Sequence, residues 1–176
     1  MCLRSYHSLF LLTAIAVFTS SLASAQPAPP HAVPASWGPI SINLEEYDYP
    51  YPVEYKNFSV YGEDVRIAYM DVAPTGPANG RTVIFHHGGY YYGWYWEDQI
   101  RALSEEGYRV IAKDRLGWGK SSKPEIPYSI NLWAANTVRL MDHLGIEQAA
   151  LVGHSNGGQL VARFAFLYPD RITNLV

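Results

Sequence analysis

The stretch LVGHSNGGQL, residues 151–160, joins a short apolar run to an amphipathic segment and sets one serine between two glycines. Within it, Gly153-His154-Ser155-Asn156-Gly157 matches G-x-S-x-G, a pattern that has meaning where a strand passes directly into a helix. A turn sharp enough to expose the serine oxygen strains the backbone, and the two glycines leave room for strand and helix to approach. The stretch therefore predicts a strand, a tight turn that presents Ser155, and a helix. The alternative is a buried serine in a glycine-rich turn that only packs a helix on a sheet.

Apolar and amphipathic segments alternate through the rest of the chain. FSVYGEDVRIAYMDVA, residues 58–73, predicts a hairpin with its turn at Gly62-Glu63-Asp64. Short apolar runs predict strands at residues 82–85, 108–112, 148–154 and 172–176, and helical spacing predicts helices at residues 95–106, 131–145 and 156–168. Strands that alternate with helices of this length imply right-handed crossovers, so the predicted fold class is α/β with a mostly parallel, doubly wound sheet.

Residues 1–25 have the layout of a secretory signal peptide. Arg4 precedes an apolar block, Leu9 to Phe18, that is shorter than the roughly 20 residues of a membrane-spanning helix, and Ala23-Ser24-Ala25 forms a small-x-small site. Cleavage after Ala25 predicts an exported product, periplasmic or extracellular, without an integral membrane span. The single cysteine, Cys2, lies inside this segment, so the exported product would contain no disulfide.

Residues 26–55 form an arm rich in proline and tyrosine, in which repeated prolines exclude a regular helix. The arm is either a free linker or a strap over an apolar surface, and its tyrosines and Trp37 favour the strap. Residues 56–176 are interpreted as one domain. A content of 48% hydrophobic and 16% charged residues is typical of a globular protein, and the net charge of −3 argues against a nucleic-acid partner.

Three motifs follow one another in an order typical of one large family. HHGGYYYGWYW begins at His86, DRLGWGKSSKP at Asp114 and GHSNGG at Gly153. With these motifs, residues from about 58 to 176 resemble the α/β-hydrolases, in the serine-hydrolase branch of esterases, lipases and haloperoxidase-like enzymes. The resemblance implies an α/β-hydrolase sheet in which Ser155 is the nucleophile and the N–H groups of Gly89 and Asn156 form an oxyanion hole.

The resemblance also implies a small-molecule acyl substrate beside the loop that follows His86. The candidate pocket residues are His87, Gly88, Tyr90, Tyr91 and Trp96. The rings of YYYGWYW either line an acyl or alcohol pocket or pack the loop against the arm, and the sequence leaves both alternatives open. Related dehalogenases and epoxide hydrolases carry aspartate at the elbow, so a serine at this position argues against both.

No metal or other cofactor is expected. The pair His86-His87 has no spaced partner of the kind a metal cluster needs. GWGKSS departs from the phosphate-loop pattern because aspartate occupies position 114, where glycine is required. The oligomeric state is left open by the sequence.

A serine nucleophile needs a histidine base and a carboxylate, which in this family follow the serine in the order acid, then histidine. Every histidine of this chain precedes Ser155, at positions 7, 31, 86, 87, 143 and 154. Asp170, the only later carboxylate, is expected in a loop. We therefore expect the N-terminal portion of a longer hydrolase, truncated before the C-terminal strands and lid, nearly inert alone and prone to associate through an open sheet edge. The alternative is a non-catalytic fragment or binding module.

Overall fold

The structure is a computed structural model that describes residues 38–176. Within them, six strands form one sheet in the order β1-β2-β4-β3-β5-β6. β1 (Glu54–Val60) and β2 (Glu63–Val72) form an antiparallel hairpin, and β2 is also antiparallel to β4. The other four strands run parallel to one another: β3 (Thr82–His86), β4 (Arg109–Lys113), β5 (Ala149–Gly153) and β6 (Ile172–Leu175). The predicted α/β class with a mostly parallel sheet is confirmed.

Helices connect the parallel strands. α1 (Glu97–Glu105) lies between β3 and β4, α2 (Ile130–His143) between β4 and β5, and α3 (Asn156–Leu167) between β5 and β6. Short 3₁₀ turns at Gly93–Trp96 and Pro169–Arg171 precede α1 and follow α3. No helix within residues 38–176 combines the length and the hydropathy needed to cross a bilayer.

Each face of the sheet carries its own apolar core, because side chains of a strand alternate between the two faces. One face is covered by α2 and α3, and its buried residues include Ile67, Ile84, Ile111, Leu151, Leu140, Met141 and Phe164. The other face is covered by α1 and by residues of the arm, with Met70, Phe85, Val110, Trp96 and Ile100 buried and Tyr49, Tyr51 and Val53 packed against them. The arm residues that the structure describes therefore cover an apolar surface.

The start and turn of the hairpin and the start of the first helix differ from the sequence prediction, and the other predicted ends lie within two residues of the observed ones. The hairpin turn is Tyr61-Gly62 rather than Gly62-Glu63-Asp64, and both turn residues have positive φ, 51° and 84°. Two such residues form the tight turn whose twist matches the strands that it joins, so the ladder continues to the pair Val60 and Glu63. The first helix starts as a 3₁₀ turn at Gly93 and becomes α-helical at Glu97 instead of starting at Tyr95. The predicted signal peptide and residues 26–37 lie outside the described residues.

The central strands diverge at their carboxyl ends. β3 and β5 are hydrogen-bonded neighbours, yet the chain leaves β3 toward α1 on one face and leaves β5 toward α3 on the other. Open α/β sheets bind ligands where such connections separate. The loop after His86 and the turn at Ser155 occupy this position.

Candidate active site

The turn at Ser155 has the strained geometry that the sequence predicts. Ser155 has φ 53° and ψ −117°, in a region that side-chain-bearing residues rarely adopt, and its side chain is exposed. A β-carbon on Gly153 would lie 2.5 Å from the carbonyl oxygen of Gly157. Because real β-carbons do not approach so closely, glycine is required there for β5 to pass into α3. The strain fixes the serine outward at the divergence of β3 and β5.

Within residues 38–176, no side chain forms a hydrogen bond with the Ser155 hydroxyl. The neighbouring His154 points elsewhere: its Nδ1 lies 3.1 Å from the Tyr95 hydroxyl, and its ring packs against Gly88 and Tyr91. His143 and Asp142 are exposed on α2, and Asp142 pairs with Arg171 at 2.7 Å. The described part of the chain therefore places no base on the serine.

The loop after β3 is held by His87, which is buried. The backbone N–H of Arg115 donates to His87 Nε2 at 3.1 Å, so the ring hydrogen is on Nδ1, which donates to the carbonyl of Gly88 at 2.8 Å. Burial, followed by the charge of Arg115, lowers the pKa of His87 to about 3. His87 is thus a neutral histidine that shapes the loop rather than a group on an open pocket wall.

Arg115 follows β4 and joins this loop to the nucleophile turn. Its guanidinium donates to the Gly88 carbonyl at 3.1 Å and to the side-chain oxygen of Asn156. The sequence assigns the amides of Gly89 and Asn156 to the oxyanion hole. Arg115 thus binds the residue before the first amide and the residue that carries the second. Sequence reasoning did not single out Arg115. Its one signal is its place in the sequence, three residues after a predicted strand and next to Asp114, at the start of the loop that carries the second motif.

Asp114 fastens the same region from the other face of the sheet. Its buried carboxylate accepts hydrogen bonds from the Tyr49 hydroxyl at 2.7 Å and from the N–H groups of Gly93 at 2.6 Å and Lys120 at 2.7 Å. Burial raises the pKa of Asp114, and the three donors oppose this shift. One carboxylate therefore ties together the arm, the loop after β3 and the loop after β4.

The aromatic residues of the loop divide between the two alternatives that the sequence leaves open. Tyr92 stacks on Tyr49 with ring centroids 6.2 Å apart, and Trp94 lies 5.8 Å from Tyr47, so these two pack against the arm. Trp96 lies in the core on the α1 face, where it stacks on Phe85 at 4.4 Å. The sequence placed Trp96 among the pocket residues, and its burial against Phe85 corrects that assignment.

Tyr90 and Tyr91 have the opposite environment. Tyr90 is 89% exposed and touches the edge of Trp118 at 5.4 Å, and it has a positive φ of 63°. Tyr91 is 47% exposed and packs on Tyr95 and on His154, the residue before the serine. These two rings form an accessible aromatic surface next to Gly89.

Two basic side chains lie buried below the site on the α2 and α3 face. His86 and Lys113 are paired on β3 and β4, and neither side chain has a hydrogen-bond partner in the part of the chain that the structure describes. Burial, then the charge of Arg115, lowers the pKa of Lys113 to about 7, and burial lowers that of His86. No group of three or more His, Cys, Asp or Glu within residues 38–176 is arranged to hold a metal ion.

Comparison with protein families gives one match, the model described as alpha/beta hydrolase fold, over residues 81–176. A non-heme chloroperoxidase from Streptomyces lividans is 38% identical over 102 residues, which are 57% of this chain and 37% of that protein. Epoxide hydrolase B from Mycobacterium tuberculosis is 41% identical over 100 residues, 55% of this chain and 28% of that protein. The chain thus spans roughly a third of the length of these curated relatives.

Solved structures give the same result. A probable hydrolytic enzyme from Pseudomonas aeruginosa is similar with a TM-score of 0.75 and 45% identity, over 77% of this chain and 44% of that one. Epoxide Hydrolase A from Mycobacterium thermoresistibile has a TM-score of 0.60 at 33% identity, over 70% of this chain and 38% of that one. The strand order, the strained serine and the matched family model agree, and the chain belongs to the α/β-hydrolase fold family.

Proposed function

We propose that the intact protein is an exported serine hydrolase that acts on esters or related acyl substrates through an acyl-enzyme on Ser155. The observation that carries this proposal is the strained backbone of Ser155, φ 53° and ψ −117°, with an exposed side chain. Strain of this kind costs about 1–3 kcal/mol and persists at functional sites. A serine that only packed a helix on the sheet would be buried and would not need it.

The reaction follows from the groups around the turn. The Ser155 oxygen attacks the acyl carbon and loses its proton to a base, and the N–H groups of Gly89 and Asn156 bind the oxyanion that forms. Collapse of this intermediate expels the protonated alcohol and leaves an ester on Ser155, which water then hydrolyses. The base and its orienting carboxylate would come from chain outside residues 1–176, since every histidine of the chain precedes Ser155.

The aromatic surface of Tyr90 and Tyr91 would hold the acyl or alcohol part of a small substrate. It is accessible, it lies beside Gly89, and Tyr91 contacts the residue that precedes the serine. The similarity to epoxide hydrolases supports the family and does not indicate epoxide hydrolysis by this protein. A serine elbow forms an acyl-enzyme with esters, whereas the aspartate elbow of epoxide hydrolases is not present here.

A fluorophosphonate probe tests the proposal in the intact protein. Phosphonylation of Ser155, located by mass spectrometry and lost in Ser155→Ala, is the expected result. A protein that the probe leaves unmodified would contradict it.

The second candidate is a non-catalytic hydrolase-like binding module. It is favoured by the absence of any hydrogen bond between the Ser155 hydroxyl and a base within residues 38–176. Hydrolysis of p-nitrophenyl acetate by the intact protein, and its loss in Ser155→Ala, would reject this candidate. Export is a separate part of the proposal, and a mature N-terminus at Gln26 in secreted material is its expected outcome.

A further inference from the structure

Among residues 38–176, no carboxylate pairs with the buried cation of Arg115. It is fully buried, and its hydrogen bonds go to the carbonyl of Gly88 and the side-chain oxygen of Asn156. Its guanidinium lies 4.6 Å from the ring centre of Trp133 and 5.9 Å from that of Trp118. A buried charge whose contacts are all neutral destabilises the folded state, so we expect Arg115 to have a function that offsets this cost.

The first contact acts on the peptide unit between Gly88 and Gly89. A trans peptide is planar, and its C=O and N–H point in opposite directions. Three donors hold the Gly88 oxygen: the His87 ring at 2.8 Å, Arg115 at 3.1 Å and, more weakly, the Tyr91 N–H at 3.4 Å. They therefore also fix the direction of the Gly89 N–H, which points away from them, and they polarise the peptide so that this N–H is a stronger donor.

The second contact acts on the nucleophile turn. Asn156 is the first residue of α3, and its amide oxygen accepts from Arg115 while its amide nitrogen donates to Gln159 at 3.1 Å. The residue that provides the second oxyanion amide is thereby tied to the loop that provides the first. One planar, rigid guanidinium spans both segments, which a lysine ammonium cannot do with the same geometry.

We propose that Arg115 is the positioning residue of the oxyanion hole: it fixes the Gly89 and Asn156 amides relative to each other and adds positive potential beneath the developing negative charge. This inference rests on the proposed acyl transfer at Ser155. Burial lowers the pKa of Arg115 to about 10, which leaves the guanidinium charged at neutral pH. Fixed donors in a site of low polarity are the main source of oxyanion stabilisation.

The test compares the rates at which a fluorophosphonate probe modifies Ser155 in the intact protein and in four variants. Arg115→Met removes both contacts and the charge, and Arg115→Lys keeps the charge but not the bridge. Asn156→Ala removes one contact and leaves Arg115 in place, so it remains informative if Arg115→Met does not fold. Lys113→Met is the matched control, because it removes another buried basic side chain, one that forms no hydrogen bond with either oxyanion segment.

We expect the maximal rate of modification to fall at least ten-fold in Arg115→Met with little change in the probe concentration for half-maximal rate. Arg115→Lys should recover only part of this loss, Asn156→Ala should fall three- to ten-fold, and Lys113→Met should stay within two-fold of the unmodified protein. In NMR spectra, the Gly89 amide should exchange with solvent at least ten-fold faster in Arg115→Met. This readout does not depend on the reaction.

A rate within two-fold of the unmodified protein in Arg115→Met, or an equal loss in Lys113→Met, would overturn the role of Arg115. If the probe does not label the protein without substitutions, the proposed acyl transfer is overturned instead. In that case the exchange of the Gly89 amide alone decides whether Arg115 fixes the loop, and an unchanged exchange rate would reject it.

Discussion

A β-carbon placed on Gly157 would lie 2.1 Å from the carbonyl oxygen of His86. The first turn of α3 is thus pressed onto the end of β3, and only a hydrogen atom fits between them. The same turn donates the His154 N–H to the His86 carbonyl at 3.1 Å. This close approach holds the nucleophile turn next to the loop that carries Gly89.

Gly157→Ala should destabilise the protein strongly, by about 1–3 kcal/mol or more, because the added methyl group meets backbone atoms that cannot move aside. Gly158→Ala is the matched control in the same helix. Its β-carbon would lie 3.6 Å from the Gly153 carbonyl, an ordinary contact, and alanine favours the helix by roughly 0.5–1 kcal/mol. Urea unfolding should therefore show opposite shifts for the two variants, and equal shifts would contradict the steric account.

The backbone of Ser155 makes a second prediction about stability. Ser155→Gly removes the strain at φ 53° and should raise the free energy of unfolding by about 1 kcal/mol relative to Ser155→Ala, which keeps a β-carbon. Both variants lack the hydroxyl, so the comparison isolates the backbone. Thermal unfolding of the two variants measures it, and a less stable glycine variant would show that the turn is not strained.

Local patterns in the sequence were sufficient for the strands, the helices and the serine turn. The apolar run before Gly153 and the glycines at 153 and 157 predict a strand that turns tightly into a helix. The structure has this turn, and a β-carbon at either glycine would clash with the backbone. The turn Tyr61-Gly62 was misplaced because tyrosine rarely adopts a positive φ, so the pattern favoured the polar residues after Gly62. The hairpin itself is correctly predicted, but the residue that adopts the strained positive φ beside Gly62 is Tyr61.

Lys113 should make stability depend on pH above neutrality. Its pKa is about 7 in the folded protein, against about 10.4 in an unfolded chain, because burial and then the charge of Arg115 lower it, with Asp114 opposing the shift. Between these values the unfolded chain binds one more proton, so the free energy of unfolding rises with pH by up to about 1.4 kcal/mol per unit. Below pH 7 both states are protonated and this contribution is constant.

Lys113→Met should remove this rise and should be more stable than the unmodified protein near pH 7. Urea unfolding at intervals from pH 6 to pH 10 gives the difference between the two proteins, in which the titration of all shared groups cancels. A difference that does not vary with pH would mean that the Lys113 amine keeps its charge in the folded state.

The buried polar residues explain why the site was only partly predicted. Arg115, His86 and Lys113 lie at the carboxyl ends of β4 and β3, where a one-dimensional pattern indicates the end of a strand but not what its side chains meet. Their surroundings come from α2, α3 and the loop after β3, which are distant in sequence. The contacts of Arg115 with Gly88 and Asn156 span 27 and 41 residues, so no local motif encodes them.

The arm should contribute to stability through Tyr49. Its hydroxyl donates to the buried Asp114 carboxylate at 2.7 Å, and a hydrogen bond to a charged group contributes about 1.5–3 kcal/mol. Tyr49→Phe should lower the free energy of unfolding by about that amount. Tyr51→Phe is the matched control, because Tyr51 packs on the same core and its hydroxyl forms no hydrogen bond among residues 38–176. Equal effects of the two variants would show that the ring alone holds the arm.

The exposed rings of Tyr90 and Tyr91 make the last prediction, which concerns substrate choice. An aromatic pair contributes about 0.5–1.5 kcal/mol beyond the area that it buries, so loss of one ring should cost a bulky aromatic ester about two- to ten-fold in kcat/KM. Tyr91→Ala should therefore lower the ratio of kcat/KM for p-nitrophenyl benzoate to that for p-nitrophenyl acetate. The acetate rate itself should change little, because its acyl group is too small to reach the ring.

Tyr61→Ala is the control for this experiment, since Tyr61 is 65% exposed at the hairpin turn and lies outside the loop after β3. Tyr90→Ala should shift the same ratio. It keeps a β-carbon at the positive φ of 63°, so it should not relieve the backbone strain at this position. An unchanged ratio in both Tyr90→Ala and Tyr91→Ala would mean that these rings only pack the loop. The pocket would then have to be formed by other residues, and the substrate class would be decided away from the aromatic surface.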